Sequence, residues 1–165
     1  MFIKKRSARE FVMSLKEELN LSKDFVSLEH EALLNLYYTT ICLKKQATEF
    51  FAPYGLTDVQ FNLMMMLRHH GGTEGLSQAR LSEMMMVNRA NITGLVDRLE
   101  KAGMVQRTAA EDRRYNMIQL TKKGRELVEK ADVAYGKKVQ DVMGILSRTD
   151  LQALVKACGK IRKNL

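Results

Sequence analysis

Two adjacent arginines, Arg113 and Arg114, stand in the polar segment AAEDRRY, between two short runs of strand-forming residues. Guanidinium groups bind phosphates and are attracted to the negative potential of a DNA minor groove. Two surface arginines alone are more often solvated charge, so their chemistry depends on the elements around them. Asp112 would repel DNA, and we interpret it as an orienting partner that forms a salt bridge with a neighbouring arginine.

The segment from Asn88 to Gly103 carries a second set of candidate residues. Its apolar residues recur at i, i+3, i+4 and i+7, which predicts a helix that buries one face. The opposite face, which includes Asp97, is polar, with small and hydrogen-bonding residues that suit base edges in a major groove. The apolar face comprises Ile92, Leu95, Val96 and Leu99. The candidate DNA contacts on this segment, and at the start of the predicted helix before it, are Ser77, Gln78, Asn88, Arg89, Asn91, Thr93 and Arg98.

Caps and periodicity predict the elements that position these residues. Long segments with a period of 3.6 residues and a single proline, Pro53, predict a mainly helical protein. Thr57 with Gln60, and Thr149 with Gln152, form capping-box patterns that predict helix starts. The predicted helices cover about residues 7–19, 28–51, 58–70, 78–85 and 89–102, a stretch after residue 121, and a last helix from Thr149 to the C-terminus.

The sequence period changes to two in residues 104–108 and 116–120, which predicts a β-hairpin with a charged tip. Two short helices followed by a hairpin are typical of a winged helix-turn-helix. In that arrangement the hairpin lies along the duplex and its tip enters the neighbouring minor groove, which would explain the two arginines. The predicted fold class is therefore mainly α with a small β-hairpin wing.

The formal net charge of +8 favours an anionic partner, with nucleic acid as the first candidate and a membrane surface as the second. The basic segment KKRSAR contributes to it but is equally typical of a solvated terminus. No apolar run is long enough to cross a bilayer, and the start lacks a signal-peptide pattern, so we expect a cytoplasmic protein that does not bind membranes. With two cysteines and three histidines, we expect neither a disulfide framework nor a metal site, and no cofactor.

The central part of the chain resembles the multiple antibiotic resistance regulator (MarR) family of bacterial winged-helix transcription factors. The resemblance runs from GLTDVQFNLMMML through LSQARLSEMMMVNRANITGLVDRLEKAGMVQR to EDRRYNMIQLTKKG, and covers about Leu28 to the C-terminus. The family's wing pattern is Asp-x-Arg, five residues, Leu-Thr, two residues and Gly. It is complete here as Asp112, Arg114, Leu120, Thr121 and Gly124.

The resemblance implies a homodimer, in which the N- and C-terminal helices of two chains interlock and hold two winged-helix lobes over a pseudo-palindromic DNA site. It implies that Arg89, Asn91 and Thr93 lie on the recognition helix and that Arg114 is the wing arginine. Relatives usually bind small aromatic or lipophilic effectors between the dimerisation helices and the winged-helix lobe. The implied domains are a basic extension (1–22), an N-terminal dimerisation helix (23–56), a DNA-binding domain (57–121) and C-terminal dimerisation helices (122–165).

The sequence therefore predicts a homodimeric regulator that binds specific double-stranded DNA, acts as a repressor rather than an activator, and responds to a small molecule or stress. No nucleophile–base pair, phosphate-binding loop or paired-carboxylate pocket indicates an enzyme. Two alternatives remain: a winged-helix module that binds proteins instead of DNA, and a small enzyme of unrecognised type.

Cysteine and methionine positions suggest further chemistry. Some relatives sense oxidants through a cysteine near the start of the first long helix, hydrogen-bonded to tyrosines. Cys42 lies in the middle of its predicted helix, although Tyr37 and Tyr38 are close to it in sequence, and a buried, inert thiol is the favoured interpretation. The methionine triplets 64–66 and 84–86 are interpreted as core residues instead of soft-metal ligands.

Overall fold

The computed structural model describes residues 13–109 and 116–165. The chain divides into two compact units, residues 1–46 and residues 47–165. Across the described ranges, each helix is too short or too polar to serve as a membrane span.

The first unit contains a short helix and most of a long one. Helix α1 (Leu15–Glu18) begins at a capping box, in which the Ser14 side chain accepts a hydrogen bond from the Glu17 N–H and the Glu17 carboxylate accepts one from the Ser14 N–H. The ammonium group of Lys16 lies 2.5 Å from the carboxylate of Asp24. The described part of the predicted helix 7–19 is thus only one turn, and residues 7–12 lie outside the described residues. Helix α2 (Leu28–Phe51) has the predicted bounds and continues into the second unit.

The second unit is a winged helix-turn-helix followed by two helices. A 3₁₀ turn over Ala52–Tyr54 follows α2, and the left-handed Gly55, at φ 66°, ends it. The remaining elements, in chain order, are α3 (Asp58–His70), β1 (Leu76–Ser77), α4 (Gln78–Met85), α5 (Arg89–Lys101), β2 (Val105–Ala109), β3 (Asn116–Leu120), α6 (Lys122–Met143) and α7 (Arg148–Arg162).

The predicted hairpin is confirmed, but it belongs to a three-stranded antiparallel sheet in the order β1-β3-β2. Strand β1 was not predicted, because two residues are too short to show a period. It pairs Leu76 with Ile118. Gly75 allows this approach, since its φ is +83° and a Cβ there would overlap the carbonyl oxygen of Ile118.

The core of the second unit draws on every helix from the end of α2 to α6, and on the sheet. The predicted apolar face of α5 is buried as expected, with Ile92 and Val96 at 0% exposure. Aromatic rings from α2 and α3 stack at the other end of the core, where the Phe51 and Phe61 centroids are 4.4 Å apart. The core residues include Phe51, Leu56, Phe61, Leu63, Met64, Leu67, Leu81, Ile92, Leu95, Val96, Leu99, Val105, Ile118, Leu120, Val128 and Ala131.

Two predictions about local structure are wrong. Met86 is 86% exposed instead of buried, because it adopts a left-handed conformation at the end of α4, with φ 53°. Helix α7 begins after Ser147, not after Thr149. The Ser147 hydroxyl accepts from the Asp150 N–H and donates to the Asp150 carboxylate at 2.6 Å, so an acidic residue in the first turn reinforces the earlier cap.

The start of α6 is fastened to the turn between α5 and β2. Thr121 caps α6 by accepting from the Gly124 N–H, and its hydroxyl donates to the Gly103 carbonyl at 2.7 Å. The Thr121 N–H donates to the Met104 carbonyl at 3.1 Å. Gly124 packs so closely that a Cβ there would overlap this same Met104 oxygen. The Leu-Thr-x-x-Gly pattern is therefore a packing requirement at the base of the hairpin.

Substituting Gly124 tests this junction. Gly124→Ala should lower the free energy of unfolding by about 2 kcal/mol or more, because the overlap is with backbone rather than with a flexible side chain. Gly136→Ala is the matched control in the same helix, since a Cβ there meets nothing within 4 Å. It should raise stability by about 0.5–1 kcal/mol, the usual preference of a helix interior for alanine. Denaturant unfolding measures both, and equal effects of the two changes would refute the close contact.

Candidate nucleic-acid interface

The helix-turn-helix is formed by α4 and α5 with three residues between them. Ser82 holds this turn, since its hydroxyl donates to the Val87 carbonyl at 2.5 Å. The Val87 N–H donates to the Ser82 carbonyl at 3.1 Å. Asn88 then caps α5, with its side-chain oxygen accepting from the Asn91 N–H at 2.9 Å. Local hydrogen bonds therefore determine where α5 begins.

The predicted contact residues of α5 and its cap are exposed, outside the buried face of the helix. Asn88, Arg89, Asn91, Thr93 and Arg98 are all exposed, whereas Ile92 is fully buried between them. The start of α4 lies beside this surface, with Ser77 and Gln78 half-buried. The structure brings Gln78 into contact with Thr93, and Asn91 and Arg98 to one groove.

Several of these residues also make structural hydrogen bonds. Ser77 caps α4 by accepting from the Arg80 N–H at 3.2 Å. The Thr93 hydroxyl lies 2.9 Å from the Gln78 side-chain oxygen and 3.1 Å from the Arg89 carbonyl. A hydroxyl has one proton, and both of these neighbours are acceptors. Thr93 can therefore offer DNA its oxygen lone pairs or its methyl group, but not its proton without breaking a bond.

Asn91 differs from its neighbours, because its side-chain amide has no hydrogen-bond partner within the described ranges. Its amide can both donate and accept, which matches the paired donor and acceptor of an adenine edge in the major groove. Gly94, which lacks a side chain, leaves open space beside Asn91. A groove of about 620 Å³ runs here between the starts of α3 and α5, lined by Asn91, Gly94 and Arg98 among others.

An ion-pair cluster beside this surface was not predicted. The guanidinium group of Arg107, on β2, bonds to the carboxylates of Asp97 and Glu100, on α5. The Arg107 N–H also donates to Glu100 Oε1 at 3.1 Å. The hydrogen bond that Arg107 donates to Asp97 is the main reason that the pKa of Arg107 lies above its usual value, and the negative charges of both carboxylates add to it. The sequence signal was present in the Asp-x-x-Glu spacing on a helix followed by an arginine on a strand, but the pairing requires the fold.

The wing residues Asp112, Arg113 and Arg114 lie outside the described residues, as does the basic arm. The strands that carry the wing are described as far as Ala109 and from Asn116 onward. Within the described ranges, no three His, Cys, Asp or Glu side chains are grouped as metal ligands would be. Cys42 is exposed, which contradicts the buried, inert thiol that was favoured from the sequence.

Comparisons with known proteins agree with this geometry. A model of the MarR family matches residues 54–114. The transcriptional activatory protein BadR of Rhodopseudomonas palustris is 30% identical over 171 aligned residues, which cover 100% of this chain and 90% of BadR. The HTH-type transcriptional regulator YhbI of Bacillus subtilis is 36% identical over 112 residues, covering 67% of this chain and 71% of YhbI. The chain belongs to the MarR family.

As a MarR-family member, the chain is a DNA-binding transcriptional regulator. The fold prediction is confirmed by the crystal structure of an S. aureus MepR–DNA complex, which superposes with a TM-score of 0.75 at 20% identity. The superposition covers 80% of this chain and 96% of MepR. The named MarR-family relatives are regulators and not enzymes.

Replacing Asn88 separates its capping role from a role in DNA contact. Asn88→Ala removes the acceptor of the Asn91 N–H and should lower the free energy of unfolding by about 1 kcal/mol, the usual cost of losing an N-cap. Asn88→Ser keeps a capping oxygen and should have the same melting temperature as the parent protein. If Asn88→Ser is as stable as the parent but binds DNA more weakly, Asn88 also contacts DNA. Thermal melting that does not distinguish the two variants would contradict the cap.

Proposed function

We propose that the protein is a homodimer that binds a pseudo-palindromic DNA site, with one α5 in the major groove of each half-site. The observation that carries this proposal is the exposed surface of α5, where the Asn91 amide has no partner within the described ranges and lines a groove with Arg98, and where Thr93 bonds to Gln78. The net charge of +8 supports an anionic partner. The MepR structure is itself a DNA complex, which supports DNA as the partner of this fold.

The exposed apolar residues of the flanking helices support a dimer. Helix α7 has fifteen residues, none of them buried by the part of the chain that the structure describes. Val155 is 71% exposed and Ile161 46%. An isolated helix of this length is marginal in water, so α7 needs a partner surface. Helix α2 likewise exposes Leu33 and Tyr37. We assign residues 23–56 and 122–165 to dimerisation, 57–121 to DNA binding and 1–22 to a basic extension.

The proposed contacts divide into two classes. Asn91 and Thr93, with Gln78 behind Thr93, contact base edges and carry the sequence information. Ser77, Asn88 and Arg89 lie at the starts of α4 and α5, where helix N-termini approach phosphates. Arg98, in the last turn of α5, contacts the DNA backbone through its own charge. Arg113 and Arg114 bind the minor groove and the backbone next to it, with Asp112 orienting one of them.

We further propose that the protein acts in the cytoplasm as a repressor released by a small aromatic or lipophilic effector or a stress signal. Activation is the second candidate, because BadR, which aligns along the whole chain, is named an activatory protein. A reporter gene downstream of the selected site distinguishes them, since deletion of a repressor raises expression and deletion of an activator lowers it. The alternative from another class is a winged-helix module that binds protein instead of DNA.

Selection from a random pool of duplexes tests the proposal as a whole. The selected sites should contain two similar half-sites with centres about 10 base pairs apart, because each protomer presents one α5. Affinity should fall steeply with salt, since several phosphates are neutralised. Sedimentation at micromolar concentration should show a dimer. A footprint on a single asymmetric half-site, or a monomer, would contradict the two-fold arrangement, and a failure to bind any duplex would favour the protein-binding module.

Two substitutions distinguish base recognition from backbone binding. Asn91→Ala should cost about 1–3 kcal/mol on the selected site and much less on random DNA, because base contacts carry the sequence information. Arg114→Ala should weaken binding to both kinds of DNA and reduce the salt slope by about one unit. Thermal melting first confirms that both variants are folded. A folded, dimeric Arg114→Ala protein that binds its site like the parent would refute the role of the wing arginine.

A further inference from the structure

Arg107 joins two elements that must contact DNA at different places. Its guanidinium group bonds to both Asp97 and Glu100, which lie one turn apart on the exposed side of α5. Its backbone N–H donates to Glu100 as well, so the outer edge of β2 is fastened directly to the helix. The Arg107 side chain is only 25% exposed, whereas Asp97 is 56% exposed. The linkage therefore lies partly beneath the surface and has its acidic end near the DNA face.

An arginine can fix β2 against α5 more firmly than a side chain that forms a single ion pair. Its planar fork can bond two carboxylates at once and fixes their direction, which a lysine ammonium group cannot do. Strand β2 is the edge strand of the sheet, and its other side pairs with β3 along its whole length. Any shift of β2 against α5 thus moves the whole hairpin relative to the recognition helix.

We propose that Arg107 is a positioning residue, which holds the β2–β3 hairpin at the distance and angle from α5 that let both engage one half-site together. The proposal rests on the DNA-binding function proposed above. Arg107 acts through Asp97 and Glu100 and does not itself contact DNA.

Substituting the acidic partner Asp97 tests the proposal, because positioning and simple electrostatics predict opposite changes in DNA affinity. Asp97→Asn removes a negative charge beside the DNA face, so simple electrostatics would strengthen binding to the phosphates. Positioning gives the opposite result, because the neutral amide no longer holds the guanidinium group. We expect Asp97→Asn and Arg107→Gln each to weaken binding to the selected site by about tenfold, and the double variant to be no weaker than the worse single one, since the residues form one network. Arg107→Lys should recover only part of the loss.

Hydroxyl-radical footprinting gives a readout that a general loss of stability would not change. At saturating protein, Arg107→Gln should retain protection of the backbone sugars next to α5 but lose the flanking minor-groove protection due to the hairpin. The matched control is Arg68→Gln. Arg68 also bridges two carboxylates, with 2.7 Å to Asp132 and 4.0 Å to Glu129, and is 29% exposed, but it joins α3 to α6. Any change in its melting temperature should be as small as that of Arg107→Gln, and Arg68→Gln should keep the full footprint.

The possible outcomes separate this proposal from the proposed function. If Asp97→Asn binds as tightly as the parent or more tightly, or if Arg107→Gln keeps the flanking protection, Arg107 has no positioning role. If Arg68→Gln loses the same protection, the effect is one of stability alone and the proposal fails. If the parent protein protects no duplex at all, the DNA-binding function is itself refuted.

Discussion

The backbone carbonyl of Met104 is the point at which the recognition helix, the sheet and α6 meet. It accepts the Thr121 N–H, and it also lies 3.2 Å from the Thr121 hydroxyl. Gly103, with φ +73°, comes directly before Met104, and Gly124 of α6 packs against the Met104 carbonyl oxygen. If this half-buried carbonyl lost the Thr121 N–H, it would carry part of the cost of an unsatisfied polar group. The junction thus fixes the end of α5 and the start of α6 relative to the hairpin.

A second set of contacts acts on the other side of the hairpin and differs in character. The Met104 junction is formed by backbone and small residues, whereas Arg107, Asp97 and Glu100 form a charged network at the surface. Surface ion pairs contribute little to stability, but a forked arginine fixes geometry. We therefore assign stability chiefly to the Met104 side of the hairpin and, under the proposal above, orientation to the charged side. Lys123 adds to the first side by donating to the Ala102 carbonyl at 3.0 Å.

Local signals in the sequence predicted most of the second unit. The capping box of Thr57 with Gln60, the cap Asn88 and the apolar period of α5 all act within one helix, so they can be recognised without a tertiary fold. The misses arose where two local patterns compete or where partners are distant in sequence. Ser147 and Thr149 both offer caps, and Asp150 decides between them. Strand β1 exists only because Ile118 pairs with Leu76, and the Arg107 network spans two elements.

The DNA-facing residues show why the sequence alone overstated the number of free contacts. Type and position made Ser77, Asn88 and Thr93 equivalent to Asn91 as polar candidates. In the structure each of the first three already satisfies a backbone group or a neighbouring side chain. A residue that holds its helix in place can meet DNA only with the hydrogen-bonding capacity left over. For Thr93 that capacity is a lone pair or a methyl group, whereas Asn91 keeps its whole amide. Sequence discrimination should therefore be concentrated at the base pair opposite Asn91 and weaker at its neighbours.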